Sequence, residues 1–386
     1  MLSPTASVKP RLLIVVTALD MGGTEKHLLA VLPHLRVRYD IFIYAMLHAG
    51  ALHEQFNQAG IPVFYTRVDS CRRRSVFSSL THRFVAVIKF TRHLLRHDYE
   101  AIHFFLPAAY TMGGCIATLL RRQPLLMSRR SQNDYQEKHP IAAKIEYFLH
   151  KKMRCVMANS TKVAEQLGEE GVTPSQLRLI HNGVDLAQFG ARTVSENDRL
   201  VFAIVANLYT YKGHADLLQA LALIKDRLPD DWIILCIGRD AGALSNLRVL
   251  AQQLSLDQHI QFLGECTNVS EILQTVDVGV LCSHEEGFSN AILEFMASSV
   301  PMVVTNVGGN AEAVMDQVCG YVVPARDPGA LGEALLTLAL NKEIRRQFGA
   351  AARQRVETQF SLGACIEQYD VLYQSILSEE ASCAAL

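Results

Sequence analysis

Val276-Asp-Val-Gly-Val-Leu-Cys282, followed at once by Ser283-His-Glu-Glu-Gly-Phe-Ser-Asn-Ala-Ile-Leu-Glu294, decides the fold. The first run is short, apolar and rich in valine, the composition of a parallel strand buried on both faces. Gly287 then turns the chain, and Asn290-Ala-Ile-Leu-Glu-Phe-Met-Ala-Ser298 reads as a helix. Open α/β sheets take their ligands at the carboxyl ends of such strands. Free amides at the start of the helix, around Ser289 and Asn290, favour a phosphate. Glu294 lies one turn in, and helical side chains lean toward the N-terminus, so its carboxylate tilts back toward the same ligand. Glu286, on the loop with Phe288, reaches a different part of it. Carboxylates suit hydroxyls and amide dipoles suit phosphates. The ligand implied carries both, as a nucleotide sugar does.

The same alternation of strand and helix runs through the whole chain and signals parallel α/β architecture. Strands are expected near Leu12–Val16, 40–45, 63–66, Ala101–Phe105, 125–128, Cys155–Ala158 and 177–181. Past Asp185 the chain turns polar, through Arg192-Thr-Val-Ser-Glu-Asn-Asp198. A second cycle follows, with strands near Leu200–Val205, Trp232–Ile237, 260–262, 276–281, Met302–Thr305 and Gly320–Val323. Two domains are expected, residues 1–192 and 193–362, followed by a final amphipathic stretch over 363–386. Their size is ordinary for a chain of 386 residues.

Composition excludes several classes. At 49% hydrophobic, 19% charged and net charge −1, the chain is neither disordered nor built for nucleic acid. Nine cysteines without a C-x-x-C pair argue for reduced thiols in a cytoplasm, against disulfides or a zinc site. The run Leu12-Leu-Ile-Val-Val16 after Lys9 and Arg11 reads as a first strand in preference to a secretion signal. No stretch approaches the ~20 apolar residues that span a bilayer.

The two glutamates resemble the E-x7-E signature of glycosyltransferase family 4, a retaining family with the GT-B fold. The resemblance extends along nearly the whole chain, from Met21-Gly-Gly-Thr-Glu25 through Ala158-Asn-Ser160, His181-Asn-Gly-Val-Asp185 and Tyr211-Lys-Gly-His214 to Gly308-Gly-Asn-Ala-Glu312. It implies two Rossmann-like domains whose parallel sheets face across a cleft, with the last helix packing back on the first. It also implies a nucleotide-sugar donor in the second domain, a saccharide or lipid-linked acceptor in the first, retention of anomeric configuration, and no metal or other cofactor.

Lys212 follows a strand and opens Lys212-Gly-His-Ala-Asp-Leu-Leu218, similar to the family's K-G-H-x-x-L-L; it would neutralise a leaving diphosphate, with Glu286 holding the sugar hydroxyls and Glu294 the ribose. The family often carries an arginine five residues before this lysine. Here Asn207 stands there, and Arg239 is a substitute. Gly22 and Gly23 are either a plain turn or a loop that admits the donor's phosphates. Gly309 and Asn310 are placed near the donor in the same way. Asn182-Gly183 reads as a hinge turn and Ser160 as a helix cap. For the acceptor, the candidates are His103 and the arginines Arg129 and Arg130, whose guanidinium forks suit a phosphate or an acidic sugar. A structural histidine and solvated arginines are the competing readings.

Cys71 to His97 carries seven lysines and arginines (Arg72, Arg73, Arg74, Arg83, Lys89, Arg92 and Arg96) and no acid. Residues 72–96 fit a basic amphipathic helix on an anionic membrane surface, or a helix packed on the first sheet with solvated cations. The expectation is a glycosyltransferase of envelope polysaccharide or lipopolysaccharide assembly, cytoplasmic or peripheral at the inner membrane face. A nucleotide-sugar 2-epimerase and a non-catalytic scaffold of the same fold are the alternatives.

Overall fold

The computed structural model describes residues 9–66, 76–120, 123–133, 135–190 and 199–384. The chain divides into two units, Met1–His181 with Cys365–Leu386, and Asn182–Ala364. Both are parallel Rossmann-like α/β domains, and the fold class is GT-B.

In the first unit the strands are β1 (Arg11–Ala18), β2 (Asp40–His48), β3 (Val63–Tyr65), β4 (Ala101–Phe105), β5 (Leu125–Arg129), β6 (Cys155–Ala158) and β7 (Leu177–Leu179). They form one parallel sheet in the order β3-β2-β1-β4-β5-β6-β7. The helices are α1 (Gly23–Leu35), α2 (His53–Gln58), α3 (Val76–Arg96), α4 (Pro107–Leu120), α5 (Tyr135–Lys138), α6 (Pro140–His150) and α7 (Thr161–Glu169). Phe90 of α3, Tyr110 of α4 and Leu149 of α6 join Leu13, Phe104 and Met127 of the strands in one core cluster. Ser160 caps α7 by accepting from the Val163 amide at 3.2 Å. The expected basic helix is α3; Arg72, Arg73 and Arg74 lie outside the described residues.

The second unit carries β8 (Leu200–Val205), β9 (Trp232–Ile237), β10 (Ile260–Gly264), β11 (Val278–Leu281), β12 (Met302–Thr305) and β13 (Gly320–Val323), in the order β10-β9-β8-β11-β12-β13. Its helices are α8 (His214–Ile224), α9 (Leu244–Gln253), α10 (Val269–Leu273), α11 (Asn290–Ala297), α12 (Asn310–Ala313), α13 (Pro328–Leu340) and α14 (Lys342–Gln359). One boundary differs from expectation. The strand expected from Val276 begins at Val278; just before it, Asp277 bonds Val201 twice, its amide to the Val201 carbonyl at 2.8 Å and its carboxylate from the Val201 amide at 2.9 Å.

The units also divide elsewhere than expected. The boundary after residue 192 lies outside the described residues, and the structural one falls between His181 and Asn182. Two contacts draw this segment into the second unit. Asn182 donates to the Phe288 carbonyl at 2.9 Å. Val184 pairs with Ser361. The last helix, α15 (Leu362–Ala384), lies mainly in the first unit. There the Tyr369 and Tyr373 hydroxyls reach His27 and His103.

Candidate active site

In the second sheet the chain leaves β8 toward β9 on one side and returns from β10 to β11 on the other. The carboxyl ends of β8 and β11 therefore flank the point where strand order reverses, the place where open α/β sheets bind ligands. Lys212 follows β8 and Glu286 follows β11, and they meet there. Lys212 Nζ lies 2.5 Å from Glu286 Oε1, which also accepts from Ser283 Oγ at 2.8 Å. Burial disfavours the Lys212 ammonium, but Glu286 outweighs it and raises the lysine's pKa above its ordinary value. The lysine is thus a fixed, mostly buried cation at the sheet edge.

The surrounding chain holds this pair in place. Gly213 sits at φ 73°, and a Cβ there would fall 1.9 Å from the Cys282 carbonyl oxygen. Gly308, at φ 52°, would place one 2.0 Å from the Glu286 oxygen. The loops after β8, β11 and β12 are therefore laced main chain to main chain, and the Gly309 amide donates to the Gly287 carbonyl at 2.7 Å. His284 adds a clamp, donating its amide to Tyr211 O and pairing its ring with Asp216, both at 2.7 Å. Gly213→Ala should cost about 1–3 kcal/mol, from overpacking against main chain. A urea titration should show a lower midpoint with an unchanged slope.

Helix α11 begins at Asn290, with Ser289 in extended conformation and making no side-chain cap, and its N-terminal end follows the β11 loop that carries Glu286. Glu294 is half-buried one turn in. Two expected donor residues have other duties. The Phe288 ring packs on Phe360 at 5.4 Å, inside the core. The Asn290 side-chain oxygen accepts from Asn182. Asn207 accepts from the Arg239 amide at 3.1 Å, joining the loops after β8 and β9, while the Arg239 side chain is exposed. Among the described residues no carboxylate pairs with Arg239. Asn310 is fully buried and donates to the Thr305 carbonyl at 3.0 Å.

The expected acceptor residues lie in the first unit, and the structure corrects two of them. His103 is buried with both ring nitrogens engaged, Nδ1 with Tyr373 Oη at 2.8 Å and Nε2 with Ser128 Oγ at 2.9 Å. Burial, helped by the Arg130 charge, holds its pKa down at about 3, so the ring is a neutral core group. Arg129 is also interior. It donates to both oxygens of Glu170, at 2.7 and 2.8 Å, and to Glu146 at 2.6 Å. Glu146, His150 and Glu170 stand within 4.8 Å of one another, close enough for a metal. The Arg129 guanidinium already supplies positive charge there. Arg130 is half-buried and reaches Tyr369 Oη at 3.4 Å. Gly22 and Gly23 lie at the carboxyl end of β1, where the order of the first sheet reverses. The space a Gly22 side chain would fill is taken by the Glu25 carboxylate, 2.3 Å away.

Sequence reasoning missed Asn182, read only as a hinge turn, and the Tyr209 and Tyr211 pair. Those rings stack at 5.4 Å beside Lys212, whose Nζ lies 5.2 Å from the Tyr211 ring. Two aromatics around a lysine turn were the available signal. Asn182 offered none, since its partners lie more than a hundred residues away.

Two parallel sheets, the second with a paired lysine and glutamate at its strand-order reversal, define an open α/β class of ligand-binding protein. The chain belongs to glycosyltransferase family 4. The model described as Glycosyltransferase Family 4 matches residues 21–188, and that described as Glycosyl transferases group 1 matches 189–355. N-acetyl-alpha-D-glucosaminyl L-malate synthase of Bacillus anthracis is 29% identical over 187 residues, 48% of each chain. D-inositol 3-phosphate glycosyltransferase of Corynebacterium glutamicum is 30% identical over 224 residues, 54% of this chain and 53% of that one. The chain thus spans about half the length of the curated relatives it matches. The crystal structure of Anabaena Alr3699/HepE in complex with UDP and glucose superposes with a TM-score of 0.82 at 20% identity, over 94% of this chain and 99% of that one.

Proposed function

We propose that the chain transfers a sugar from a nucleotide-sugar donor to a saccharide or lipid-linked acceptor, with retention of anomeric configuration and without a metal. The observation that carries this reading is the Lys212–Glu286 pair at the strand-order reversal, on the loop that leads into α11. The donor's diphosphate takes the Lys212 ammonium and the α11 amides, and so releases the Glu286 carboxylate to the sugar hydroxyls. Glu294 accepts from the ribose. In a front-face substitution the anomeric carbon leaves its phosphate oxygen as the acceptor oxygen bonds to it. The departing phosphate takes the acceptor proton, so no protein nucleophile is required. Asn207 leaves the diphosphate without the second cation common in the family, and Arg239, on the neighbouring loop, would be its substitute.

The relative crystallised with UDP and glucose makes UDP-sugars the first donors to try. Calorimetric titration with UDP-, GDP- and ADP-sugars, without metal, should show binding to one nucleotide, lost in Glu294→Ala. No binding to any of them would favour a scaffold, the one reading that Asn207 supports. The context proposed is envelope polysaccharide or lipopolysaccharide assembly, with the protein cytoplasmic and peripheral at the inner face of the membrane. Its support is the acid-free basic helix α3; no helix among the described residues is long and apolar enough to cross a membrane.

A further inference from the structure

Glu286 is held by more than its lysine. Its Oε1 accepts from Lys212 Nζ at 2.5 Å and from Ser283 Oγ at 2.8 Å. Ser283 is itself fully buried, and its carbonyl accepts from Thr305 Oγ1 at 2.6 Å. The main chain is packed as closely. A Cβ on Gly308 would fall 2.0 Å from the Glu286 carbonyl oxygen, and the Gly309 amide donates to the next carbonyl, that of Gly287, at 2.7 Å. Only 10% of the Glu286 side chain is exposed, and 18% of that of Lys212. Ser283 and the loop would therefore still hold the carboxylate beside a ligand that takes the ammonium.

That arrangement sets two anions side by side. Nζ and Oε1 are 2.5 Å apart, so a phosphate oxygen hydrogen-bonded to Nζ lies no more than ~6 Å from Oε1. Like charges at that range in a mostly buried site repel. The repulsion differs between the two ends of the reaction. In an intact nucleotide sugar both phosphates are diesters, with one charge each. The sugar hydroxyls also have an acceptor in Glu286 Oε2, which takes no hydrogen bond among the described residues. After transfer the terminal phosphate soon yields the acceptor's proton to water, since its second pKa is about 6. The nucleoside diphosphate then carries an added negative charge, and no transferred sugar to offset it.

We propose that Glu286 discriminates between donor and product: its anchored carboxylate accepts the intact nucleotide sugar and expels the nucleoside diphosphate left after transfer. This rests on the donor pocket proposed above and gives Glu286 a second duty, in product release. Lys212 alone would do the reverse, because an ammonium binds the more highly charged product more tightly. Product release limits turnover in many enzymes, so a fixed counter-charge beside the lysine speeds the cycle.

The test is calorimetric titration of the full chain with UDP and UDP-glucose, without metal, and with the GDP and ADP counterparts where UDP does not bind. Glu286→Gln removes the charge and keeps the shape and an oxygen for Ser283. It should tighten UDP about tenfold or more and leave UDP-glucose unchanged or weaker, so the ratio of the two dissociation constants moves toward product. Ser283→Ala loosens the clamp and keeps the charge, and should tighten UDP to a smaller extent. Glu285→Gln is the control. That acid is next in sequence but exposed and screened, so both affinities should stay within about twofold of wild type.

UDP bound no more tightly by Glu286→Gln, when wild type binds both ligands, would overturn the proposal and leave the transferase reading standing. An equal gain in Glu285→Gln would assign the effect to the general field of the loop and overturn it too. Wild type that binds none of the three nucleotides would overturn the donor pocket itself. Should thermal unfolding show that Glu286→Gln does not fold, Ser283→Ala decides, and UDP affinity no higher than that of wild type would sink the proposal.

Discussion

Lys212→Ala should lower kcat/KM about a hundred- to a thousand-fold, the loss expected when one fixed donor to a developing charge is removed. The ammonium is held by Glu286 at the carboxyl edge of the second sheet, and Gly213 beside it packs its backbone directly on the Cys282 carbonyl. The main-chain contacts of Gly213 set the lysine turn before the donor binds, so the ammonium needs little reorganisation when the diphosphate departs. The loss should fall mainly on kcat, since leaving-group charge grows in the transition state. Lys212→Arg should recover only part of it, because a planar fork does not fill the space of a compact ammonium. Steady-state kinetics with the donor identified by titration reads both variants. A raised KM with unchanged kcat would reduce Lys212 to a ground-state contact and remove it from the chemistry.

Arg129→Leu should destabilise the first unit by about 3–5 kcal/mol at neutral pH, the cost of leaving buried charges without their partner. Glu146 and Glu170 share this guanidinium, and both are buried. Burial pushes the Glu170 carboxyl up, but His150 and Arg129 outweigh it and hold its pKa down at about 2, against an ordinary 4.5. A carboxyl depressed on folding contributes stability that is present above 4.5 and lost as pH falls toward 2. The variant lacks the Arg129 share of that contribution and gains by protonating Glu170. The gap between wild type and variant should therefore narrow as pH drops below 4.5. Hydrogen exchange of the β5 and β6 amides isolates the first unit from the second. A gap that stays constant with pH would mean that the Glu170 charge does not set the cost, which would then be one of packing.

Every strand expected from the sequence has a counterpart in the sheets, and so do the helix that starts at Asn290 and the lysine turn at Lys212. These features are legible because they are local. A run of β-branched residues, a glycine corner and a helical spacing each act over a few neighbours, and seven residues between two glutamates set both on one strand-loop-helix unit. The partners of polar side chains are not local. His103 reads as a cleft histidine until Tyr373, 270 residues later, takes its ring nitrogen. Arg129 reads as a surface fork until Glu146 and Glu170 close on it from α6 and the end of α7. Asn182 reads as a turn until the Phe288 carbonyl, 106 residues on, requires a donor. Backbone periodicity is fixed within a few residues of sequence, whereas burial and charge pairing are fixed by which distant segments the sheets bring together, and that assignment belongs to the tertiary structure.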